Sequence, residues 1–345
     1  MKLHGGKRKI KSNSGLAIVA SLAVVFMFVA TIFSIILYKK RMDEASALMV
    51  KAQYSSYDSY VVMIASDGNS DFWEQMYDAA SEYGKDYGVY VDMFSESIDE
   101  SYSKLEYFEM AIEADCDAIF IEGENSEEFS NLLNKANKKS IAVFTIQTDV
   151  DVENRVSYIG TNSYTIAGLY RNSIIENITN QKRAMVVGND SDATSTFTNN
   201  LQNALSELEL PNGPLEIESR VVAGDEAFAT EQYVQNLFKE NDLAPIVICL
   251  DEEITESFYQ AMIDYNKVGQ VLLFANNSSS TILTGIKQGV IVSTVFVDPA
   301  NIGEAVAAAF VEYRDSGYVS DYINVEAKLI DANNIQEEFQ EVDDE

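Results

Sequence analysis

The chain has 345 residues, of which 47% are hydrophobic, and its formal net charge is −31 at pH 7. Residues 1–57 contain nine of the 24 Lys/Arg residues but only two of the 55 Asp/Glu residues, so the remainder carries a net charge of −38. A body this acidic repels phosphate backbones and anionic lipids, which argues against nucleic acid as a partner. Because the single histidine, His4, precedes this body, histidine-based catalysis and histidine-ligated metal are excluded there.

Near the N-terminus, residues 15–38 form an apolar stretch of 24 residues without a charge. At 1.5 Å per residue this stretch is long enough to cross a bilayer as one helix. The alternative is a cleaved signal peptide, but its apolar region usually has only about 7–15 residues, and no small-residue cleavage site follows. We therefore predict a single-pass anchor in the cell membrane, with residues 1–14 as a basic cytoplasmic tail. Residues 39–57 would be a juxtamembrane stalk that leads to a body outside the cytoplasm.

After the stalk, short β-branched or aromatic runs alternate with longer segments of helical period. The first series of strands and helices is expected at residues 60–66, 71–85, 89–94, 99–114, 118–123, 126–138, 141–146 and 156–160. The second series is expected at residues 184–188, 195–208, 216–222, 226–240, 245–250, 252–266, 271–275, 279–287 and 290–296. This alternation predicts an α/β fold with two doubly wound parallel-sheet lobes. Because no Gly/Ser-rich linker separates the two series, the lobes should be joined by ordered crossings.

In parallel α/β sheets, ligands bind beyond the carboxyl ends of the strands. Neither a dinucleotide-binding glycine motif nor a P-loop follows any predicted strand, so a nucleotide cofactor is not expected. After the first strand, the stretch NSDFW places Phe72 and Trp73 at the start of a helix. Aromatic rings beside amides and carboxylates are typical of sugar sites. The alternative is that Trp73 packs in the lobe core and that Asn69 and Asp71 are turn residues.

Polar residues follow the other predicted strands at the same edge of the sheets. Asn125 and Gln147 follow strands of the first series, and Asp251 and Asn276 follow strands of the second. Ser195 lies just beyond the loop that follows the first strand of the second series. Each of these residues alone could be a helix cap or a turn residue. Their common position at the strand ends makes them candidate ligand groups.

Taken in order, these stretches resemble the type I periplasmic binding proteins, in particular the branch that binds ribose and galactose. NSDFWEQMYDAASEYG resembles the family's first loop and helix, CDAIFIEGENSEEF its third strand and loop, and VSYIGTNSYTIAG its crossing into the second lobe. The resemblance covers about residues 58–330. It implies a first lobe of residues 58–161 plus about 299–318, a second lobe of 162–298 plus about 319–335, and an acidic tail of 336–345.

The resemblance also implies a ligand site between the lobes, with Phe72 and Trp73 as a ring-stacking pair. The candidate ligand-binding residues are Asn69, Ser70, Asp71, Phe72, Trp73, Asn125, Gln147, Ser195, Asp251, Asn276 and Phe296. The sequence departs from the family pattern in this region. The loop after the first strand of the second lobe has no arginine, and Gln147 and Leu250 replace a usual aspartate and asparagine. A sugar is therefore the default expectation rather than a specific one.

We interpret the chain as a membrane-anchored, extracytoplasmic solute-binding protein. It would close two lobes on a small polar ligand and present it to an ABC-type permease, without a metal or other cofactor. The alternative is an accessory protein that reports the ligand to a membrane sensor kinase. A ligand-free structural surface protein and a hydrolase are further rivals. The hydrolase is not favoured, because acidic pairs such as Glu122 and Glu124 are not flanked by other catalytic groups.

Overall fold

The computed structural model of the chain describes residues 57–66, 71–94, 102–150, 154–189, 191–206, 210, 213–222, 228–240 and 242–339. The helices in these ranges include none with the length and apolar character needed to cross a membrane. The predicted anchor at residues 15–38 and most of the stalk lie outside the described residues. Residues from 59 onward form one compact unit that contains two α/β lobes.

The first lobe is a parallel sheet flanked by helices. Its strands are β1 (Ser59–Ile64), β2 (Val89–Met93), β3 (Ala118–Glu122), β4 (Ala142–Ile146), β5 (Ser157–Gly160) and β11 (Tyr322–Asn324). Their order in the sheet is β11-β5-β4-β3-β1-β2, and every pairing is parallel. The helices of this lobe are α1 (Asp71–Asp86), α2 (Lys104–Glu113), α3 (Glu127–Lys138) and α9 (Pro299–Ser316).

The second lobe repeats this arrangement. Its strands are β6 (Arg183–Gly188), β7 (Glu216–Val221), β8 (Ile246–Cys249), β9 (Leu272–Asn276), β10 (Ser293–Val297) and β12 (Ala327–Asp331). Their order is β12-β10-β9-β8-β6-β7, and only the edge strand β12 is antiparallel. The helices are α4 (Ser163–Asn177), α5 (Ser191–Ser206), α6 (Ala229–Glu240), α7 (Glu252–Asp264), α8 (Ser280–Lys287) and α10 (Ile335–Glu338).

Local sequence signals explain where several helices begin. Ser103 forms a capping box at the start of α2, in which its hydroxyl accepts from the Glu106 N–H and the Glu106 carboxylate accepts from the Ser103 N–H. The start of α9 combines an Asp298 cap with a proline in the first turn, where the missing N–H costs nothing. The central strands are buried on both faces, as β1 is along its whole length, because helices cover both sides of each sheet.

The core of the first lobe includes the interface between α1 and α9. Gly303 of α9 lies against the backbone of α1, where a Cβ at this position would be 2.0 Å from the carbonyl oxygen of Met76. The absence of a side chain therefore allows the two helices to approach closely. Because α1 carries Phe72 and Trp73 in its first turn, this contact also holds the two rings in place.

The prediction of two α/β lobes is confirmed. The last crossing between the lobes, however, lies further along the chain than the predicted boundary near residue 319. Strand β11 pairs with β5 in the first lobe, and only β12 pairs with β10 in the second. The chain therefore returns to the second lobe at about residues 325–327. A strand of three residues is too short to show a period, so its partner could not be assigned from the sequence.

Candidate functional site

A cavity of about 400 Å³ lies between the two lobes at the carboxyl ends of their strands. This volume falls within the range of about 300–1,000 Å³ that is usual for small-molecule sites. The first lobe contributes side chains that follow β1 and β4 and the last side chain of β3, and the second lobe contributes side chains that follow β8 and β9. The lining residues are Phe72, Trp73, Glu122, Gln147, Glu252, Glu253, Glu256 and Asn277.

Position in the sheets explains why these groups meet. In both lobes the strand order reverses at the first strand, between β1 and β3 and between β6 and β8. The loops diverge at such a switch point and leave a crevice outside the strand ends, where open α/β sheets bind ligands. The two crevices face each other across the lobes, so a ligand between them can be held from both sides.

The aromatic wall comes from the first turn of α1. Trp73 is only 4% exposed and belongs to the core of the first lobe, yet it also lines the cavity. Phe72 is half-buried and meets Trp73 edge-on, with ring centroids 6.4 Å apart and planes at 81°. The two interpretations of Trp73, as a ligand contact and as a core residue, are therefore compatible. One part of the indole packs in the core, while another part faces the cleft.

Gln147 and Glu122 complete the wall of the first lobe. Gln147 follows β4 with a left-handed backbone (φ 59°), and its carbonyl accepts a 2.7 Å hydrogen bond from the Tyr158 hydroxyl. Burial, reinforced by the nearby Asp149 carboxylate, raises the pKa of the Tyr158 phenol well above its ordinary value, so this hydroxyl remains a donor. The Glu122 carboxylate accepts hydrogen bonds from the hydroxyls of Ser66 and Thr148.

The wall of the second lobe is acidic. Glu252 and Glu253 occupy the first turn of α7, and Glu256 lies one turn further along the same helix. The Glu256 carboxylate accepts a 2.7 Å hydrogen bond from the hydroxyl of Ser279, the N-cap of α8. Asn277 follows β9 with a left-handed backbone (φ 71°) and lines the cavity beside these carboxylates.

Of the predicted site residues, the structure brings Phe72, Trp73 and Gln147 to the cavity. Asn69 and Ser70 lie outside the described residues. Asp71 is the exposed first residue of α1, Asn125 is exposed before α3, and Ser195 is exposed on α5. None of these three lines the cavity.

The remaining three predicted residues make contacts inside the second lobe. The Asp251 carboxylate accepts from the Asn189 N–H at 2.9 Å, which ties the end of β6 to the start of α7. The Asn276 amide donates to the Leu250 carbonyl at 3.0 Å. Phe296 packs against Phe339, with ring centroids 5.5 Å apart. Within the described residues, these groups therefore support the walls of the site rather than line it.

The candidate residues chosen from the sequence did not include the carboxylates of α7 or Asn277, although Glu252 and Asn277 also follow predicted strands at this edge. Acidic residues in the first turn of a helix have a structural explanation, since they interact favourably with the helix dipole. In a chain with 55 Asp/Glu residues, three glutamates on one helix are not a distinctive signal. Their spacing at positions 252, 253 and 256 does place them on one side of α7, and this spacing is a sequence feature that could have identified them as a group.

The chain passes between the lobes three times, at residues 160–163, 297–299 and 324–327. The first and third crossings are bonded to each other: the Thr161 hydroxyl donates to the Val325 carbonyl, and the Val325 N–H donates to the Gly160 carbonyl at 3.1 Å. Tyr158 and Tyr322 stack beside them with ring centroids 5.5 Å apart. The crossings therefore form a connected strip at one side of the cleft.

Comparison with known proteins agrees with this geometry. The family described as "Periplasmic binding protein domain" matches residues 60–317. No curated protein sequence matches the chain significantly.

Solved structures resemble the fold over most of the chain. A glucose-galactose binding protein, GanP from Geobacillus stearothermophilus, has a TM-score of 0.71 at 17% identity, over 80% of this chain and 98% of that one. A periplasmic ribose ABC transporter protein from Conexibacter woesei has a TM-score of 0.69 at 12% identity, over 83% and 95%. The structure of a XylFII–LytSN complex has a TM-score of 0.68 at 16% identity, over 80% and 98%.

Proposed function

Because the chain belongs to the periplasmic binding protein family, we propose that it is an extracytoplasmic solute-binding protein that closes its two lobes on a small polar ligand of the sugar class. The observation that carries this proposal is the cavity between the lobes, which combines an aromatic wall from α1 with carboxylates and an amide from the opposite lobe. An aromatic face and convergent polar groups are the elements that a sugar-like ligand requires.

Lobe closure would use the three crossings as a hinge. A ligand that contacts both walls interacts more strongly with the closed form than with the open one, and this difference in affinity shifts the population toward closure. The bonded strip that includes Thr161 and Val325 would keep the lobes aligned while they rotate. The closed form would then be the species that a membrane partner recognises.

An ABC-type permease is the partner that we propose first, since the sugar-binding proteins of similar fold include an ABC transporter component from Bacillus halodurans, with a TM-score of 0.67. A signalling partner is the second candidate, because XylFII has been solved in complex with the protein LytSN. Anchoring through residues 15–38 is compatible with both roles. We propose it on the apolar sequence alone, with carbonate extraction of membranes as its test: an integral anchor stays in the pellet.

The proposal includes binding without chemical conversion. This part of the proposal rests on the family, whose description is that of a binding protein, and on structures of similar fold such as a glucose-galactose binding protein. Analysis of the ligand after prolonged incubation with the protein separates this proposal from a hydrolase. A new product that accumulates with time and enzyme concentration would contradict it.

The first test is a titration of the full-length chain in mild detergent with pentoses, hexoses, disaccharides and nucleosides. Emission from Trp73, the only tryptophan, reports on the cavity directly, and the melting temperature provides a second measurement. A ligand that binds only the folded protein stabilises it by mass action, by about 2.7 kcal/mol when its concentration is 100 times the Kd. This stabilisation raises the melting temperature. If no compound in this panel, nor any charged analogue of its members, saturates either signal, the solute-binding proposal fails.

A further inference from the structure

The charge of the cleft is one-sided. Four of its eight lining residues are glutamates, and no lysine or arginine is among the described residues that line it. Glu122 comes from the first lobe, whereas Glu252, Glu253 and Glu256 come from the second. Closure of the lobes therefore brings like charges toward each other while it removes the water that screens them.

Two positive side chains of the first lobe pair with acids that do not line the cavity. Lys104 pairs with Glu124 at 3.2 Å, and Arg155 pairs with Asp149 at 2.6 Å. Neither base lines the cavity. The groups that orient Glu122 and Glu256 are the neutral hydroxyls of serine and threonine, which fix a carboxylate in position without cancelling its charge.

The acidic side chains also make the cleft rich in hydrogen-bond acceptors. Ionised carboxylates only accept hydrogen bonds, so a complementary ligand must be rich in donors. An ammonium group offers three donors and a positive charge, while a sugar hydroxyl offers one donor and none of the charge. The faces of Trp73 and Phe72 also attract a cation that lies within about 6 Å of the ring centre.

We propose that the ligand of this cleft carries a positive charge, and that it is a small ammonium-bearing compound of the amino-sugar type rather than a neutral sugar. This inference rests on the proposed solute-binding function and adds the charge of the ligand to it. The ammonium group lies among the carboxylates of α7 and Glu122, and the rest of the ligand lies on the aromatic wall. Neutralisation by the ligand removes the repulsion that opposes closure, so ligand charge and lobe closure are coupled.

A metal ion does not explain the acidic lining. No cluster of three or more His, Cys, Asp or Glu side chains suited to a metal ion occurs in the described part of the chain. A calcium site would need about six to eight oxygens at 2.3–2.6 Å from one point. The carboxylates of this cleft instead surround a space that is large enough for an organic molecule.

The test compares pairs of compounds that differ in charge. The full-length chain in mild detergent is titrated with D-glucosamine, D-glucose and N-acetyl-D-glucosamine, with the corresponding galactose series, and with spermidine. Trp73 emission and calorimetry report binding at about pH 6.5, where amino groups of this kind are mostly protonated. We expect an amine to bind at least tenfold more tightly than its neutral analogue. An increase in the NaCl concentration from about 50 mM to about 500 mM should weaken the binding of the amine several-fold and leave the binding of neutral compounds unchanged.

The outcomes separate this inference from the function on which it rests. Equal or tighter binding of a neutral sugar overturns the charge inference and leaves the solute-binding function intact. Absence of saturable binding for every compound, charged or neutral, overturns both. Preference for spermidine over both amino sugars supports the positive charge and assigns it to a linear amine.

Single substitutions of glutamates that line the cleft test the inference, and the same substitution outside the cleft is the matched control. Glu253→Gln and Glu256→Gln preserve side-chain shape and remove one charge each, and we expect each to weaken amine binding several-fold with little effect on a neutral sugar. Glu312→Gln removes the same charge from an exposed position on α9, about 20 Å along the helix from the cleft end. If Glu312→Gln weakens amine binding as much as Glu253→Gln does, net charge rather than the cleft is responsible and the inference is wrong. Because Glu253 is exposed, its substitution should not affect folding.

Discussion

Gln147 and Asn277 occupy equivalent positions in the two lobes and have the same unusual backbone. Gln147 directly follows β4 with φ of 59°, and Asn277 directly follows β9 with φ of 71°. In chain order, β4 and β9 are the fourth strands of their lobes. The Gln147 N–H donates to Ile159, and the Asn277 N–H donates to Val295, at 3.1 and 3.0 Å. Their carbonyls in turn accept from the hydroxyls of Tyr158 and Thr294, at 2.7 and 2.5 Å. Because the same two bonds hold both turns, both side chains point into the cleft.

The left-handed backbone at Gln147 predicts that a glycine variant is more stable there than an alanine variant. A left-handed conformation costs a residue with a Cβ about 1–2 kcal/mol, whereas glycine adopts it freely. Gln147→Gly should therefore be about 1 kcal/mol more stable than Gln147→Ala in urea unfolding, and the same order should hold at Asn277. Both substitutions remove the side chain, so they should weaken ligand binding equally.

The exposed Glu312 of α9 is the control for this prediction, because its backbone is helical. There the alanine variant should be more stable than the glycine variant by about 1 kcal/mol. Alanine more stable than glycine at Gln147 as well would contradict a left-handed backbone at that position.

The neighbouring rings of α1 should respond differently to truncation. Trp73 is 4% exposed and belongs to the core, so Trp73→Ala should cost about 3–5 kcal/mol of stability. Phe72 is half-buried, and Phe72→Ala should cost only about 1–2 kcal/mol while it weakens ligand binding. Tyr164→Ala is the control, since this ring is 64% exposed and does not line the cavity. A Trp73→Ala variant as stable as Tyr164→Ala would show that the indole is not a core residue.

A single methyl group should disturb the contact between α1 and α9. The Cβ of Gly303→Ala would overlap the Met76 carbonyl oxygen, so we expect a loss of about 1–3 kcal/mol. Gly168→Ala in α4 is the matched substitution, because nothing lies within 4 Å of its Cβ. It should raise stability by about 0.5–1 kcal/mol through helix propensity. Chemical denaturation of the two variants measures both effects, and a stabilising Gly303→Ala would contradict the close approach of the helices.

The buried thiols predict a loss of stability at alkaline pH. Burial raises the pKa of Cys116 to about 12, whereas an unfolded cysteine titrates near about 8.5. Between these values the unfolded chain loses a proton that the folded chain retains, so stability falls as pH rises, by up to about 1.4 kcal/mol per pH unit. Below about pH 8 this contribution is fully present.

Urea unfolding of the chain and of Cys116→Ala at about pH 7.5 and 9.5 tests the sign. The drop in stability between the two pH values should be smaller in the variant. An equal drop would mean that Cys116 ionises as readily in the folded protein as in the unfolded one. Cys249 is also buried, and burial raises its thiol pKa in the same direction, so it accounts for part of the drop that remains.

Most of the secondary structure could be predicted because its signals are local. The runs at residues 60–66 and 118–123 contain β-branched and aromatic residues that match β1 and β3 within two residues. Prediction was incomplete where pairing is long-range. Strand β11 has three residues and pairs with β5, more than 160 residues earlier in the chain. The hydrophobic pattern of such a short segment contains no information about its partner.

The sequence by itself determined the two α/β lobes, the edge of each sheet at which the cavity lies, and the aromatic pair at the start of α1. These follow from periodicity and from the rule that parallel strands end at one edge. Only the tertiary structure decided which polar groups face that edge. Asn276 and Asn277 are adjacent and chemically identical, yet the first donates to Leu250 inside the lobe and the second lines the cleft. The left-handed turn at residue 277 separates them, and it depends on hydrogen bonds to β10, which lies next to β9 in space but follows it in sequence only after α8.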